Sequence, residues 1–177
     1  MVAKDNRVKE YLFVDGYNII NSWNNLRELS KLDLGVAREE LIEIMSEYQH
    51  YSDIQVIIVF DAHMVKGQNG KEDVIKGVRV VYTKETQTAD QYIEKTLDEI
   101  GRIKRVRVAT SDWMEQQIVL GRGGTRISAR ELEVEIFNHR KSIKRKRRNE
   151  NIKNNLLMGR LEEDILIKLN KWGKNKE

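Results

Sequence analysis

Cysteine and proline are both absent from the 177 residues, and histidine occurs only three times. Without cysteine there is no disulfide framework, thiolate nucleophile, iron–sulfur cluster or cysteine-based zinc site, which suits a reducing, cytoplasmic setting. His50, His63 and His139 stand singly, so no helical pair of imidazole ligands can be written. Any metal would therefore be held mainly by carboxylate oxygen. The missing proline removes Pro-rich linkers and cis-proline switches. The longest wholly apolar run, Val56 to Phe60, falls far short of the roughly 20 residues that span a bilayer. The polar start, Met1 to Glu10, does not resemble a secretory signal, and no membrane partner is expected.

What is present is charge, unevenly placed. The formal net charge is +4, yet residues 1–137 carry 19 basic and 23 acidic side chains, whereas residues 138–177 carry 13 and 5. The cations peak between Arg140 and Arg148, with Lys141, Lys144, Arg145, Lys146, Arg147 and Arg148 forming the densest group. Such a run repels itself unless a polyanion lies near, and it is the expected nucleic-acid contact. The alternatives are a solvated helix end, or a membrane surface, for which a broad aromatic-apolar face is missing.

Four segments read as strands: 11–15, 54–61, 78–83 and 106–110. The first two are nearly continuous apolar runs, as in a parallel sheet covered on both faces, while arginines at 79, 105 and 107 suggest more exposed later strands. Between them the spacing predicts a helix over 36–51, with Ala37, Leu41, Ile44, Met45 and Tyr48 on one stripe. Thr88 to Gln91, Asp112 to Glu115 and Ser128 to Glu131 have capping-box spacing, each opening a helix. Residues 62–77 read as a loop at the crevice rim, and the glycine-rich segment 121–125 as a turn. The latter lacks the spacing of a phosphate loop, and no organic cofactor is expected. Strand and helix alternate, so the expected fold is α/β, a three-layer sandwich around a mostly parallel central sheet. A domain over 1–148 would include the basic helix. Residues 149–177 would add a polar connection and an amphipathic C-terminal helix.

In open parallel sheets the ligand crevice lies beyond the carboxyl ends of the strands, and aspartates gather there. Asp15 and Asp61 end the first two strands, Asp112 follows the fourth, and Asp90 sits in the first turn of the helix after the third. Glu94 is one turn further on. Each has an ordinary alternative as a cap, turn or dipole charge. Asp15 is the hardest to dismiss, because a carboxylate ending an apolar strand is costly without a partner, and Gly16 permits a sharp turn. Converging carboxylates repel unless a cation shares the site, and Mg²⁺ or Mn²⁺ suits carboxylate and water ligands. Such an ion could polarise a phosphodiester and activate water, with Asn18, Thr110 and Ser111 adding neutral hydrogen bonds. His63, Trp23 and Trp113 have structural readings at least as good as functional ones.

The ordered set Tyr11-Leu-Phe-Val-Asp-Gly-Tyr-Asn18, Val59-Phe-Asp-Ala-His63, Tyr82-Thr-Lys-Glu85, Thr88-Ala-Asp90, Ala109-Thr-Ser-Asp112 and Ser128-Ala-Arg-Glu-Leu132 resembles the YacP-like branch of the NYN-domain proteins, which are PIN-like nucleases. The resemblance implies a metal-dependent endoribonuclease that cleaves mRNA on the translating ribosome at its A site. Carried over by motif, Asp15 and Asp90 are the leading catalytic candidates, Asp61 and Asp112 further acidic members, and Asn18 a supporting residue. Asp15, Asp90 and Asp112 are the candidate metal ligands. Sequence alone does not divide these carboxylates between metal binding and water activation. The competing expectations are a non-catalytic RNA- or ribosome-binding module that keeps the nuclease fold, and a phosphoacceptor receiver domain, which lacks its lysine here.

Overall fold

The computed structural model describes residues 10–62, 70–100, 105–112, 120–121 and 124–173, with side chains described as far as Ile152. The chain divides into two compact units, Met1–Ile136 and Phe137–Glu177. That boundary lies one residue before the point where the balance of charge reverses.

The first unit is built on six strands in the order β3-β4-β2-β1-β5-β6. They are β1 (Glu10–Asp15), β2 (Ile54–Phe60), β3 (Glu72–Ile75), β4 (Val78–Tyr82), β5 (Arg105–Ala109) and β6 (Thr125–Ile127). All neighbours are parallel except β3 and β4. The described helices are α1 (Gly16–Ser22), α2 (Asn24–Leu32), α3 (Leu34–His50), α4 (Ala89–Ile100) and α5 (Ala129–Gly173). The α/β sandwich expected from the alternation is the fold observed.

Two apolar layers hold the sheet. On one face, Leu12, Val14, Val56, Ile58 and Phe60 pack against α1, α3 and the first turns of α5 through Ile20, Leu41, Met45 and Leu132. On the other, Phe13, Ile57 and Val59 pack against Ile93 and Leu97 of α4. Successive side chains of a strand point to opposite faces, so a strand covered on both sides must be apolar throughout, as β1 and β2 are. Each large side chain buried this way contributes roughly 1.5–3 kcal/mol. The stripe predicted for α3 is buried as written, with Ile42 added to it. Asp33 caps the helix, accepting from the Val36 N–H at 3.2 Å.

Two capping boxes form as their spacing predicts. Thr88 N–H donates to Gln91 Oε1 at 3.1 Å and Gln91 N–H to Thr88 Oγ1 at 3.2 Å. Ser128 and Glu131 repeat the pattern at 2.7 and 3.2 Å. The third box runs into residues 113–119, which lie outside the described residues, as do Trp113 and His63.

The structure corrects four readings. Glu72–Ile75 is an edge strand rather than part of a loop, joined to β4 by a two-residue turn in which Lys76 (φ 51°) and Gly77 (φ 85°) both have positive φ. This turn suits a hairpin's twist, and the strand's short, charged sequence hid it from a search for apolar alternation. Its charges are partnered, Glu72 with Arg79 and Asp73 with Lys71. Arg79 and Arg107 do not mark exposed strands, because their side chains are 15% and 19% exposed and ion-paired. Gly16 has no positive φ and is the first residue of α1. A Cβ there would stand 2.2 Å from Phe60 Cε1, so glycine serves close packing instead of a turn. Finally, the polar stretch 149–155 is helical, lying within α5 with neither proline nor glycine to interrupt it. The segment 121–125 is described only in part, and Thr125 opens β6.

Candidate functional site

Three of the predicted carboxylates come together at the carboxyl edge of the sheet. Asp15 closes β1 and at the same time caps α1, its Oδ1 accepting the Asn18 N–H at 3.1 Å. The parallel pairing of β1 with β2 sets Asp15 opposite Val59, two residues before Asp61. Asp90 enters from the first turn of α4. All three are half-buried. Burial, and then the nearby charges of Asp90 and Asp61, push the Asp15 carboxyl up from an ordinary value near 3.8 to about 6. The backbone N–H groups at the start of α1 oppose that rise but do not cancel it. The structure thus carries a concentrated negative field that a cation would relieve.

Asp112 is placed differently. It is exposed on the loop after β5, and its charge is not among those acting most strongly on Asp15. Its backbone N–H donates to the buried Thr110 hydroxyl at 3.0 Å, while Ser111 N–H donates to Asn18 Oδ1 at 2.7 Å. Asn18 and Thr110 therefore spend oxygen atoms on holding this loop, where sequence reading offered them to water or phosphate. Glu94 lies half-buried one turn beyond Asp90. Among the described residues no three His, Asp or Glu side chains are gathered closely enough to hold a metal ion by themselves. Mg²⁺ does not require such a cage, because it usually keeps several waters and takes one or two carboxylates plus substrate phosphate. The oxygen-only donor set fits it.

Residues beyond the predicted set complete the edge. Thr83, buried at the end of β4, donates from Oγ1 to Asp61 Oδ1 at 3.4 Å and accepts the Ala62 N–H at 3.0 Å, fixing the chain just after β2. It stood inside the Tyr82-Thr-Lys-Glu motif, which gave no sign of this role. Tyr17, Phe60 and Tyr82 form a row of rings, with centroids 5.2 Å apart for the first pair and 5.7 Å for the second. Trp23 is core, 3% exposed, and donates from Nε1 to the Ala129 carbonyl at 2.8 Å.

In the second unit the basic run is helical. Lys141, Lys144, Arg145, Lys146, Arg147 and Arg148 are all exposed. Helical geometry sets Lys141, Lys144, Arg145 and Arg148 on one stripe, which the composition alone did not reveal.

The mostly parallel α/β sheet with aspartates at its carboxyl edge is, by its family match, a nuclease-like domain. The family model for the YacP-like NYN domain matches residues 12–174, and the chain belongs to that family. It is 40% identical over 164 residues to the uncharacterized protein YacP of Bacillus subtilis (strain 168), spanning 92% of this chain and 96% of that one. The crystal structure of Rae1 (YacP) from Bacillus subtilis matches with a TM-score of 0.69 at 40% identity, covering 93% of this chain and 94% of that chain. A tryptophan-to-leucine mutant of that same protein matches with a TM-score of 0.64, covering 76% and 79%. Among the described residues no helix is long and apolar enough to cross a membrane.

Proposed function

We propose that this protein is a metal-dependent endoribonuclease whose substrate is mRNA, cleaved on the translating ribosome at the A site. The observation that carries the chemistry is the gathering of Asp15, Asp61 and Asp90 at one sheet edge, where burial first, and then the charges of Asp90 and Asp61, raise the Asp15 carboxyl to about 6. Asp15 and Asp90 would hold Mg²⁺ or Mn²⁺, with Asp61 and Asp112 as further acidic members. When bound, the ion supplies charge to a phosphodiester oxygen and lowers the pKa of a water nucleophile. Asp61, which accepts a hydrogen bond from Thr83, would orient or deprotonate that water, and Asn18 keeps the Ser111–Asp112 loop in position. The stripe of Lys141, Lys144, Arg145 and Arg148, with Lys146 and Arg147 beside it, supplies attraction to the RNA backbone that the acidic edge lacks. The family membership supports the nuclease class, and the ribosomal substrate rests on the resemblance in motif.

The test is to map RNA ends after incubating the purified protein with mRNA, with and without ribosomes, and with Mg²⁺ or chelator. New internal ends that require the ion and are lost in Asp15→Asn and Asp90→Asn are the expected result. No cleavage under any condition, with RNA or ribosome binding intact, would establish the binding-module alternative.

A further inference from the structure

We propose that Arg38, with the cavity it lines between α3 and the β3–β4 hairpin, is a phosphate-binding subsite for a nucleotide flanking the scissile bond. This rests on the ribonuclease reading and adds a substrate contact to it. The cavity encloses about 440 Å³ and is lined by Gly35, Arg38, Ile42, Ile75, Lys76 and Tyr82, together with two glutamates. That volume lies within the roughly 300–1,000 Å³ typical of ligand sites.

The Arg38 guanidinium is the distinctive group. It is half-buried, and its Nη1 donates to the Tyr17 hydroxyl at 3.1 Å. A phenol is a neutral partner. Among the described residues Arg38 makes no ion pair, whereas the half-buried Arg79 and Arg107 each meet a carboxylate. Of the two glutamates at the cavity, Glu43 is already paired with Lys76, and Glu39 is exposed to solvent. A guanidinium kept partly out of water without a counter-ion is held at a cost, and its remaining N–H donors match phosphate oxygens in geometry and charge.

Its location fits the role. Tyr17 lies two residues after Asp15, feels the charge of Asp61, and packs on Phe60, which in turn stacks on Tyr82 of the cavity wall. The row of three rings therefore joins the acidic edge to the cavity. A strand of RNA with its scissile phosphate near Asp15 can lay a neighbouring phosphate against Arg38, in a region where the surrounding unit is otherwise acidic. The Tyr17 hydroxyl acts as a positioning group for the guanidinium.

The experiment measures binding of a fluorescein-labelled single-stranded oligoribonucleotide across a salt series, in chelator, and its cleavage with Mg²⁺, using the full chain. Arg38→Gln should weaken binding about tenfold, raise KM more than it lowers kcat, and reduce the slope of log K against log salt by about 0.7, the value for one phosphate no longer neutralised. Arg38→Lys should restore the slope with only part of the affinity, and Tyr17→Phe should give a smaller loss of affinity with the slope unchanged. A residue that merely supports the fold would move the melting temperature without moving the salt slope. If wild type binds and cuts while Arg38→Gln, or Arg38→Met should the first variant not fold, matches it in affinity and slope, the subsite is overturned and the nuclease reading stands. If wild type neither binds nor cuts RNA, both fail.

Discussion

The side-chain oxygen of Asn18 accepts the backbone N–H of Ser111 at 2.7 Å, tying the first turn of α1 to the loop after β5, 93 residues further along the chain. Asn18→Ala leaves that exposed N–H to water and should cost about 0.5–1.5 kcal/mol of stability. The more telling readout is local. Amide exchange at Ser111 and Asp112 should accelerate well beyond the change in global stability, and RNA cleavage should fall with it. Unchanged exchange at both amides would show that the loop is held by something else.

The raised Asp15 carboxyl makes a prediction about stability and pH. Because its folded value, about 6, exceeds the ordinary value of 3.8, the folded state binds the proton more tightly than the unfolded chain does. The resulting stabilisation is fully present below the ordinary value and is lost as pH rises through the folded one. Asparagine carries no charge and still caps a helix. In chelator, the stability of Asp15→Asn relative to wild type should therefore improve by about 2–3 kcal/mol between acid and neutral pH. Mg²⁺ should narrow that gap at neutral pH by favouring the ionised wild type. Denaturant titrations across the range check both statements, and a pH-independent difference would contradict the first.

Gly16 offers a packing test beside the same carboxylate. A Cβ would stand 2.2 Å from Phe60 Cε1 and 2.4 Å from Cδ1, so Gly16→Ala must displace a fully buried ring. Overpacking of this kind costs roughly 1–3 kcal/mol. The displaced ring also belongs to the row formed with Tyr17 and Tyr82, so RNA affinity should drop together with the melting temperature. The double variant Gly16→Ala, Phe60→Leu should regain part of both.

Neutralising Arg145, Lys146, Arg147 and Arg148 with glutamine removes half or more of the exposed cations in the run. The slope of log K against log salt for RNA should fall by about 2–3, at about 0.7 for each phosphate no longer neutralised. Folding of the first unit should be untouched. Binding measured by fluorescence polarisation checks the slope, and an unaltered value would mean that these side chains are simply solvated.

Much of this protein was legible in the linear sequence because the signals were local. Continuous apolar runs at 11–14 and 56–60, the stripe along α3, and the boxes at Thr88 and Ser128 act over one or two turns, where helix and strand periodicity are dictated by covalent geometry. The edge strand Glu72–Ile75 and the short helices α1 and α2 escaped, because their stability comes from neighbours distant in sequence. Arginines 79 and 107 look solvent-seeking in the sequence and are half-buried in the fold, since Glu72, Glu10 and Glu135 arrive from other elements to pair them.

The sequence by itself determined the chemistry available: oxygen ligands instead of sulfur or imidazole, aspartates at strand ends, and cations concentrated in one run. Only the tertiary structure decided which of those groups act on one another. The sheet order β3-β4-β2-β1-β5-β6 sets β1 between β2 and β5, so that Asp61 acts on the Asp15 carboxyl while Asp112 is exposed on the loop after β5. The same order engages Asn18 with a backbone amide and leaves Arg38 beside a phenol. Charge interactions fall off with distance and depend on burial. Both quantities are settled by how the elements pack.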